Sequence, residues 1–212
     1  MPHLTLATKK NRILLILSAL KQLFPYPVTE LDFTHDYELL FSVIMSAQTT
    51  DVQVNKLTAR LYKKYPTLES YIDADLTEFT RDISSIGLYK NKAKNVLAAA
   101  KMLSTDFNGK VPSEFEKLIL IPGAARKTAN VVQRELFGIS DGIAVDTHVI
   151  RLSQQLGLTQ NKEAIAIEKD LMRITPVEEY GNISILLILY GRRFWKARQP
   201  DQGMLSKLLG LS

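Results

Sequence analysis

The chain has 212 residues, of which 46% are hydrophobic and 23% charged, and these values are typical of globular proteins and exclude disordered and fibrous architectures. It contains no cysteine, which excludes disulfides, thiolate nucleophiles and cysteine-bound metal centres. Its three histidines, His3, His35 and His148, are too scattered to predict a metal site. The formal net charge of +5 suits a polyanionic partner.

No stretch of the sequence predicts a membrane span or a secretory leader. The longest purely apolar run, Ile185 to Leu189, is far shorter than the roughly 18 residues that a membrane helix needs. The apolar stretch from Ile13 to Leu17 soon reaches Lys21 and has no small-residue cleavage site after it. We therefore expect a cytoplasmic protein without a membrane partner and, since no surplus apolar face is visible, a monomer.

Taken in chain order, the apolar residues repeat with the period of a helix. The first series is Ile13, Ile16, Leu17, Leu20 and Phe24, and similar series run over residues 54–65 and 93–103. Pro25 and Pro66 are placed to end two of these helices. No convincing strand hairpin is visible, so the sequence predicts an all-α protein of nine or ten helices.

Local signals mark the ends of other helices. Gly138 and Gly157 are placed as C-terminal caps. Ser113 and Glu116 have the spacing of a capping box, in which the serine accepts a free backbone N–H and the glutamate reaches back to the cap. This box predicts a short helix from Glu114 to about residue 120.

The segment from Leu118 to Ala129 predicts a helix, a tight Pro-Gly turn and a second helix that begins at once. The N–H groups at the start of a helix, together with the positive end of the helix dipole, form a site that suits a phosphate. Arg126 can add a bidentate contact. The dipole disfavours a cation at Lys127 and so favours its neutral, nucleophilic amine. Taken alone, the pattern is more typical of an ordinary helix start with a solvated lysine.

Nineteen residues after Lys127, an apolar stretch delivers Asp146 to the start of another amphipathic helix. An aspartate in this position is typical of an N-cap, whose carboxylate accepts one of the free N–H groups of the helix. A capping carboxylate is also rigid and desolvated on one side, so it can serve as a charged group in a reaction. The two interpretations are compatible.

Four motifs, in order and at matching spacing, carry a resemblance to a known family. They are residues 45–51 (MSAQTTD), 86–89 (IGLY), 127–132 (KTANVV) after the hairpin, and 145–148 (VDTH). From about Thr29 to Arg198 the sequence resembles the helix-hairpin-helix DNA glycosylases and, within them, bacterial endonuclease III.

The resemblance implies an all-α fold of two helical lobes with a DNA-binding cleft between them. Residues 29–140 would form a six-helix lobe that contains the helix-hairpin-helix motif. Residues 1–28 and 141–212 would form the second helical lobe. The partner implied is damaged double-stranded DNA, and we expect a bacterial, nucleoid-associated protein.

The activity implied is that of a base excision repair enzyme, a bifunctional DNA glycosylase and abasic-site lyase for oxidised pyrimidines. The family flips the damaged nucleotide out of the duplex, because its sugar carbon cannot be reached inside the stack. Lys127 matches the lysine that attacks the sugar C1′, expels the base and forms a Schiff base, from which β-elimination breaks the strand. Asp146 matches the carboxylate that stabilises the cationic sugar and assists proton transfer.

Other positions match the family's DNA contacts. Gln48 matches the residue that enters the gap left by the flipped nucleotide, and Leu88, with Ile86 nearby, matches an apolar wedge in the stack. The alternatives are an exposed amide for Gln48 and an ordinary turn residue for Leu88. The remaining predicted contacts are Gly123, Ala125, Arg126 and Thr128 of the hairpin, His148, and Arg192 and Arg193 in the basic, aromatic segment from residue 191 to 198. A structural hydrogen bond explains His148 equally well, and a solvated helix end explains the two arginines.

The sequence departs from the family at its C-terminus, where members usually carry four cysteines that bind an iron–sulfur cluster. Those positions fall approximately on Trp195, Gln202, Leu205 and Leu211. We therefore predict no metal and no cofactor. Our hypothesis is that an apolar plug replaces the cluster in holding the C-terminal loop, and that it consists of Trp195, Leu205, Leu208, Leu209 and Leu211.

A second departure lies in the hairpin, where the family's Gly-x-Gly becomes Gly123-Ala124-Ala125. If the second glycine position needs a positive φ angle, alanine there costs about 1 kcal/mol or somewhat more. The N–H groups would then tilt away from the phosphate. The expected consequence is weaker DNA binding without loss of chemistry.

Three alternatives to this function come from the same residues. Adenine glycosylases of the family lack a lysine at the position of Lys127, which disfavours them here. An enzyme that acts on 8-oxoguanine or another lesion stays open. A non-catalytic helix-hairpin-helix DNA-binding protein is the alternative from another class, and it has no need for both Lys127 and Asp146.

Overall fold

A computed structural model describes residues 4–196 and 204–209 of the chain, except for the side chains of Met204 and Ser206. These residues form helices joined by short loops, and no strand occurs among them. The prediction of an all-α fold is therefore confirmed. The helices are α1 (Leu6–Leu23), α2 (Asp36–Met45), α3 (Asp51–Lys64), α4 (Leu68–Ile72), α5 (Leu76–Asp82), α6 (Tyr89–Phe107), α7 (Phe115–Leu118), α8 (Arg126–Val132), α9 (Thr147–Gln155), α10 (Ala164–Ile174), α11 (Tyr180–Arg193) and α12 (Met204–Leu208).

The predicted number of nine or ten helices is too low. The described residues contain twelve α-helices, a π-helical segment at Gln133–Phe137 and a 3₁₀ turn at Val177–Glu179. The extra helices are short: α4, α7 and α12 have four or five residues each. A helix of little more than one turn does not repeat its apolar face, so the spacing of apolar residues cannot reveal it. None of the described helices is long and apolar enough to cross a membrane.

The chain divides into two compact units. We call residues 30–138 the central unit and residues 1–29 with 139–212 the terminal unit. The core of the central unit is built around α2, where Leu39, Leu40, Phe41 and Met45 are fully buried. Helices α6 and α8 both pack against α2. Because α2 is apolar on nearly every side, it takes the central place in its unit.

The terminal unit has a core of its own, centred on α11. Helix α11 packs against α1 and α9 and buries most of its residues, among them Ile183, Leu186 and Leu187. Leu205 of α12 is fully buried in the same core. Its backbone N–H donates to the hydroxyl of Tyr190 at 3.3 Å, so a hydrogen bond joins α12 to α11, and α12 also packs against α1.

Helix ends follow the predicted signals in most places. Helix α1 ends at Leu23, before Pro25, and α3 ends at Lys64, before Pro66. Gly138 and Gly157 have the positive φ angles that favour glycine after a helix, +66° and +68°.

The capping box at Ser113 was a wrong prediction. Helix α7 begins one residue later, with Glu114 at the N-cap position and no capping side-chain bond, and it ends at Leu118. The reason is that the Ser113 carbonyl accepts the side-chain amide of Gln133 at 2.8 Å. The first carbonyl of the helical ladder is therefore that of Glu114, which accepts the N–H of Leu118.

Candidate active site

The hairpin between α7 and α8 is built around one glycine. Gly123 has φ +83°, and a Cβ atom there would lie 2.9 Å from Asn95 Cβ and 3.0 Å from Ile44 Cγ2. The Ala124 N–H closes the turn by donating to the carbonyl of Ile121 at 2.9 Å. Both the backbone conformation and the lack of space therefore require glycine at position 123.

The expected strain at Ala125 is absent. Ala125 has φ −78° and ψ 173°, an extended conformation that alanine adopts freely. Alanine in place of glycine would be unfavourable here only if the φ angle were positive, and it is not. The departure from Gly-x-Gly therefore gives no reason to expect weaker DNA binding.

Helix α8 begins without a capping side chain, because the N-cap residue is Ala125. Arg126 and Lys127 form its first turn and are both exposed, and the guanidinium of Arg126 lies 4.8 Å from the ring centre of Phe115. The side chain of Thr128 is buried, so a contact from that position to a ligand would have to come from its backbone. The turn thus presents a lysine and an arginine at the positive end of a helix.

Asp146 is the N-cap of α9 in the terminal unit. Its Oδ1 accepts the N–H of Val149 at 2.9 Å, and its carbonyl accepts the N–H of Ile150 at 2.8 Å. The N-cap interpretation is therefore confirmed, and the role in a reaction stays a prediction. Burial lowers the pKa of Arg151, one turn along α9, while the negative charge of Asp146 acts in the opposite direction. The carboxylate thus has a fixed orientation at the half-buried start of a helix.

His148 lies on the same turn of α9 and packs against α11. A Cβ atom at Gly191 would lie 2.7 Å from His148 Nδ1 and 3.2 Å from Leu152 Cδ1. The glycine therefore permits the close approach of the two helices at this point. This placement favours the structural interpretation of His148, and its predicted contact with DNA is not tested by it.

Gln48 and Leu88 share an unusual backbone conformation in the central unit. Both have positive φ angles, 54° and 58°, and both side chains are exposed, that of Leu88 by 54%. Non-glycine residues in this conformation cost about 1 to 3 kcal/mol each and cluster at functional sites. Asn108 also has a positive φ angle, but it ends a helix, where asparagine is a common cap. The first two have no such ordinary explanation.

The side chain of Ile86 is buried, unlike that of Leu88. It is only 4% exposed and belongs to the core of the central unit, together with Ile83 and Phe79. The turn at residues 86–88 therefore has one apolar side chain inside and one outside. The side chain of Ile86 supports the turn of Leu88 from the core, and its predicted contact with DNA stays a prediction.

Arg192 and Arg193 form the end of α11 in the terminal unit. Arg192 is half-buried, and Arg193 is exposed with its guanidinium 5.3 Å from the ring centre of Phe24. Phe194 stacks on Tyr190 with ring centres 5.5 Å apart. The segment thus combines exposed cations with aromatic packing. Arg198, at the end of the predicted basic segment, lies outside the described residues.

The apolar plug is present in part. Trp195 is 7% exposed and Leu205 fully buried in the terminal core, and Leu209 packs against that core. Leu208 is 45% exposed, so it does not belong to the plug. Gln202 and Leu211 lie outside the described residues.

The residues at these positions do not fit an iron–sulfur cluster. The chain has no cysteine, and Trp195 and Leu205 cannot act as ligands. Within residues 4–196 and 204–209, no group of histidine, aspartate or glutamate side chains could bind a metal ion. That the protein works without a cofactor stays a prediction.

One residue near the proposed DNA contacts escaped the sequence analysis. Lys92 is only 3% exposed, and its Nζ donates to Thr49 Oγ1 at 2.8 Å. A signal for it exists in the sequence, because Lys92 stands at helical spacing from Val96 and Leu103 on the apolar face of α6. A lysine on an apolar face is unusual unless its amine has a polar partner.

Comparisons with known proteins agree on one family. The model of the HhH-GPD superfamily of base excision DNA repair proteins matches residues 41–177. Endonuclease III of Synechocystis sp. is 45% identical over 92% of this chain and 89% of that protein. Endonuclease III of Escherichia coli K12 is 39% identical over 92% of each chain. The solved structure of a trapped endonuclease III–DNA covalent intermediate superposes with a TM-score of 0.88 at 42% identity, over 94% of both chains.

Proposed function

Since the chain belongs to the HhH-GPD superfamily of base excision DNA repair proteins, and within it to the endonuclease III family, we propose that it is a bifunctional DNA glycosylase and abasic-site lyase for oxidised pyrimidines in double-stranded DNA. The observation that carries this proposal is Lys127, exposed in the first turn of the helix that follows the hairpin. An exposed amine at this position can approach a sugar directly.

In the first step, the neutral amine of Lys127 attacks C1′ of the damaged nucleotide, and the bond from C1′ to the base breaks. The base leaves with the bonding electron pair and takes up a proton. Asp146 accepts a proton from the new ammonium group and returns it to O4′ as the C1′–O4′ bond opens. The product is a protonated Schiff base between C1′ and the lysine.

The second step breaks the strand. A base, such as water, takes a proton from C2′, the electron pair of that C–H bond forms a double bond between C2′ and C3′, and the 3′ phosphate leaves with the electron pair of its bond to C3′. Water then hydrolyses the Schiff base and releases Lys127. Asp146 supports both steps by its negative charge, which the hydrogen bond from Val149 stabilises.

Gln48 and Leu88 are the side chains proposed to enter the DNA stack. Both are exposed on turns with left-handed backbone, and an apolar wedge between base steps keeps a flipped nucleotide out of the helix. Gly123, Ala125, Arg126 and Thr128 would contact the phosphate backbone through the hairpin, and Arg192, Arg193 and His148 from the terminal unit. The basic composition of the chain supports such contacts.

The proposal also includes the oligomeric state and the place of action. The protein would work as a monomer on the bacterial nucleoid, in the cytoplasm. Its relatives are bacterial endonucleases III that it matches over nine-tenths of its length. The substrate of a base excision enzyme is the chromosome itself.

Borohydride trapping tests the reaction. The protein is mixed with duplexes that contain thymine glycol, an abasic site or 8-oxoguanine, and the reductant converts any Schiff base into a stable adduct. We expect adducts from thymine glycol and the abasic site, and none from Lys127→Met. Lys110→Met is the matched control, because Lys110 is an exposed lysine of the same unit outside the hairpin.

The other results have distinct meanings. Adducts from the abasic site and 8-oxoguanine alone would replace oxidised pyrimidines by oxidised purines as the substrate. No adduct from any duplex, with protein that is folded and bound to the DNA, would favour the non-catalytic DNA-binding alternative. An adduct that persists in Lys127→Met would assign the reaction to another amine.

A further inference from the structure

A buried lysine connects the two turns that carry Gln48 and Leu88. Lys92 lies one helical turn after Leu88 in α6, and its backbone N–H donates to the Leu88 carbonyl at 3.1 Å. Its side chain crosses to the loop between α2 and α3, where Nζ donates to Thr49 Oγ1 at 2.8 Å. The same residue is thus bonded to the turn of Leu88 through its backbone and to the residue after Gln48 through its amine.

The loop that holds Gln48 is a tight turn. The Thr49 N–H donates to the carbonyl of Ser46 at 3.0 Å, and Gln48 stands inside this turn with φ 54°. Thr50 is the N-cap of α3, and its hydroxyl accepts the N–H of Gln53 at 3.3 Å. Gln48 is therefore placed between two short hydrogen-bonded segments, and the hydroxyl of the next residue, Thr49, is bonded to Lys92 of α6.

The two turns are also in direct proximity. A Cβ atom at Gly87 would lie 3.7 Å from the carbonyl oxygen of Gln48, so only a side chain added there would come into van der Waals contact with it. The backbone before Leu88 thus passes close to the backbone of Gln48. Besides this proximity, the hydrogen bonds of Lys92 join the two turns.

Burial of the amine of Lys92 requires an explanation. Burial lowers the pKa of the Lys92 amine to about 8, so this position disfavours the charged form of the amine. A methionine or leucine would fill a core position without this penalty. The left-handed conformations of Gln48 and Leu88 are also unfavourable and persist only where surrounding contacts hold them. A bond that holds both turns accounts for a lysine in this place.

We propose that Lys92 is a positioning residue that holds the turns of Gln48 and Leu88 together, so that both side chains enter the DNA stack as one unit. This inference rests on the proposed function, because it assumes that the two side chains open the duplex. Lys92 is buried and acts through Thr49 and the start of α6. Its loss therefore affects the opening of the stack and leaves the reaction at the sugar intact.

The first experiment measures the opening of the base stack without the reaction at the sugar. A duplex carries a non-cleavable abasic analogue opposite 2-aminopurine, whose fluorescence rises when it loses its stacking. We expect Lys92→Met to lose most of this rise at saturating protein. Lys94→Met is the matched control, because Lys94 is an exposed lysine of the same helix, and it keeps the full signal.

Rates of adduct formation give the second measurement. On a duplex with a natural abasic site, Lys92→Met is expected to be about tenfold slower than the unchanged protein, the loss that one charge-assisted hydrogen bond brings. On a single-stranded abasic oligonucleotide, which has no stack to open, the two rates are expected to agree. An equal loss on both substrates would assign Lys92 a general structural role and overturn the proposal.

Thr49 supplies a test that leaves the buried lysine unchanged. Thr49→Val removes the acceptor and is expected to reproduce the duplex defect, while Thr49→Ser keeps the hydroxyl and restores normal opening. If Lys92→Met does not fold, this pair decides the matter, because Thr49 is only half-buried. A Thr49→Val protein with normal opening and normal duplex rate would overturn the proposal. Failure of the proposed function is recognised separately, as the absence of any adduct from the unchanged protein while the fluorescence still rises.

Discussion

The two helices that carry the proposed reacting groups begin in opposite ways. The N-cap residue of α8 is Ala125, which offers no capping group, and the first turn of the helix contains two cations, Arg126 and Lys127. The N-cap residue of α9 is Asp146, whose carboxylate accepts the Val149 N–H. The start of α8 gives up helix stability, because cations oppose the dipole and no side chain occupies the cap. The start of α9 gains stability from the very group that is proposed to act.

The same difference appears within the central unit. The N-cap residues of α3, α4 and α5 are Thr50, Thr67 and Asp75, whose side chains accept a backbone N–H. The N-cap residue of α6 is Leu88, which has a left-handed backbone, is exposed and cannot cap the helix. Other helices, such as α10, also lack a capping bond, so its absence alone identifies nothing. Two of these helices have a further unfavourable feature at the same place. The start of α6 has an exposed leucine in a strained conformation, and the start of α8 has two cations.

The largest effect is expected at Asp146, where stability and chemistry can be separated. Asparagine caps a helix as well as aspartate, so Asp146→Asn should change the free energy of unfolding by less than about 0.5 kcal/mol. It removes the charge, and we expect adduct formation to fall about 1,000-fold, as for the loss of a proton-transfer group. Chemical denaturation and single-turnover trapping measure the two quantities.

Asp146→Ala serves as the comparison for this variant. It loses the cap as well as the charge and should be less stable than Asp146→Asn by about 1 kcal/mol, with similar activity. If Asp146→Asn were as active as the unchanged protein, Asp146 would be a cap alone, and the contrast between α8 and α9 would lose its functional meaning.

Much of the fold could be predicted from the sequence, because long helices repeat their apolar face several times. The series that begins at Ile13 and the one that begins at Ala93 correspond to α1 and α6. Short helices such as α7 escape this logic, and the box at Ser113 failed because a distant residue, Gln133, takes the Ser113 carbonyl. Long-range hydrogen bonds of this kind leave no mark in the local sequence.

In the candidate site, too, local features could be predicted from the sequence and features that depend on distant residues could not. Lys127 at a helix start and Asp146 at an N-cap were readable, since both depend on residues within a few positions in the sequence. The conformation of Ala125 and the burial of Ile86 depend on the surrounding core and were not. Lys92 was readable in principle from its place on an apolar face, but its partner Thr49 lies 43 positions away.

The second prediction concerns the start of α8 and compares its two small residues. Gly123→Ala places a Cβ atom 2.9 Å from Asn95 Cβ and forces a left-handed alanine. We expect a loss of about 3 kcal/mol in the free energy of unfolding, from strain and overpacking together. Ala125→Gly is the control and should change stability by only a few tenths of a kcal/mol, because glycine is acceptable at an N-cap.

DNA affinity sharpens this comparison. If the extended conformation of Ala125 leaves the hairpin intact, Ala125→Gly should bind an undamaged duplex no more tightly than the unchanged protein. Titration of a fluorescent duplex at fixed salt measures this. A clear gain in affinity on Ala125→Gly would restore the idea that alanine in this position weakens the contact with phosphate.

The third prediction uses pH to examine the connection at the start of α6. The pKa of Lys92 is lowered to about 8 in the folded protein, whereas it is about 10.4 in an unfolded chain. Between these two values the unfolded chain binds more protons, so the contribution of Lys92 to stability rises with pH. Relative to Lys92→Met, the unchanged protein should gain about 2 to 3 kcal/mol between pH 8 and pH 10.4.

Denaturant unfolding of the two proteins at several pH values measures this difference. Tyr62, Tyr65 and Tyr71 have raised pKa values and also affect stability at the upper end of the range, but they are present in both proteins and cancel. A difference that does not change with pH would mean that the amine is not desolvated in the folded state.

The smallest effect is expected where α9 meets α11. Gly191→Ala would bring a Cβ atom within 2.7 Å of His148 Nδ1 and 3.3 Å of His148 Cβ, and since rotation of the imidazole does not relieve the second contact, we expect a loss of about 1 to 2 kcal/mol. The cap at Asp146 belongs to the same turn, so trapping should slow as well. In a His148→Ala background the closer contact is gone, and Gly191→Ala should then have a smaller effect. If Gly191→Ala lost the same stability in that background, the strain would lie at Leu152, whose Cδ1 is 3.2 Å from the added Cβ atom. The packing of His148 would then not determine the position of Asp146.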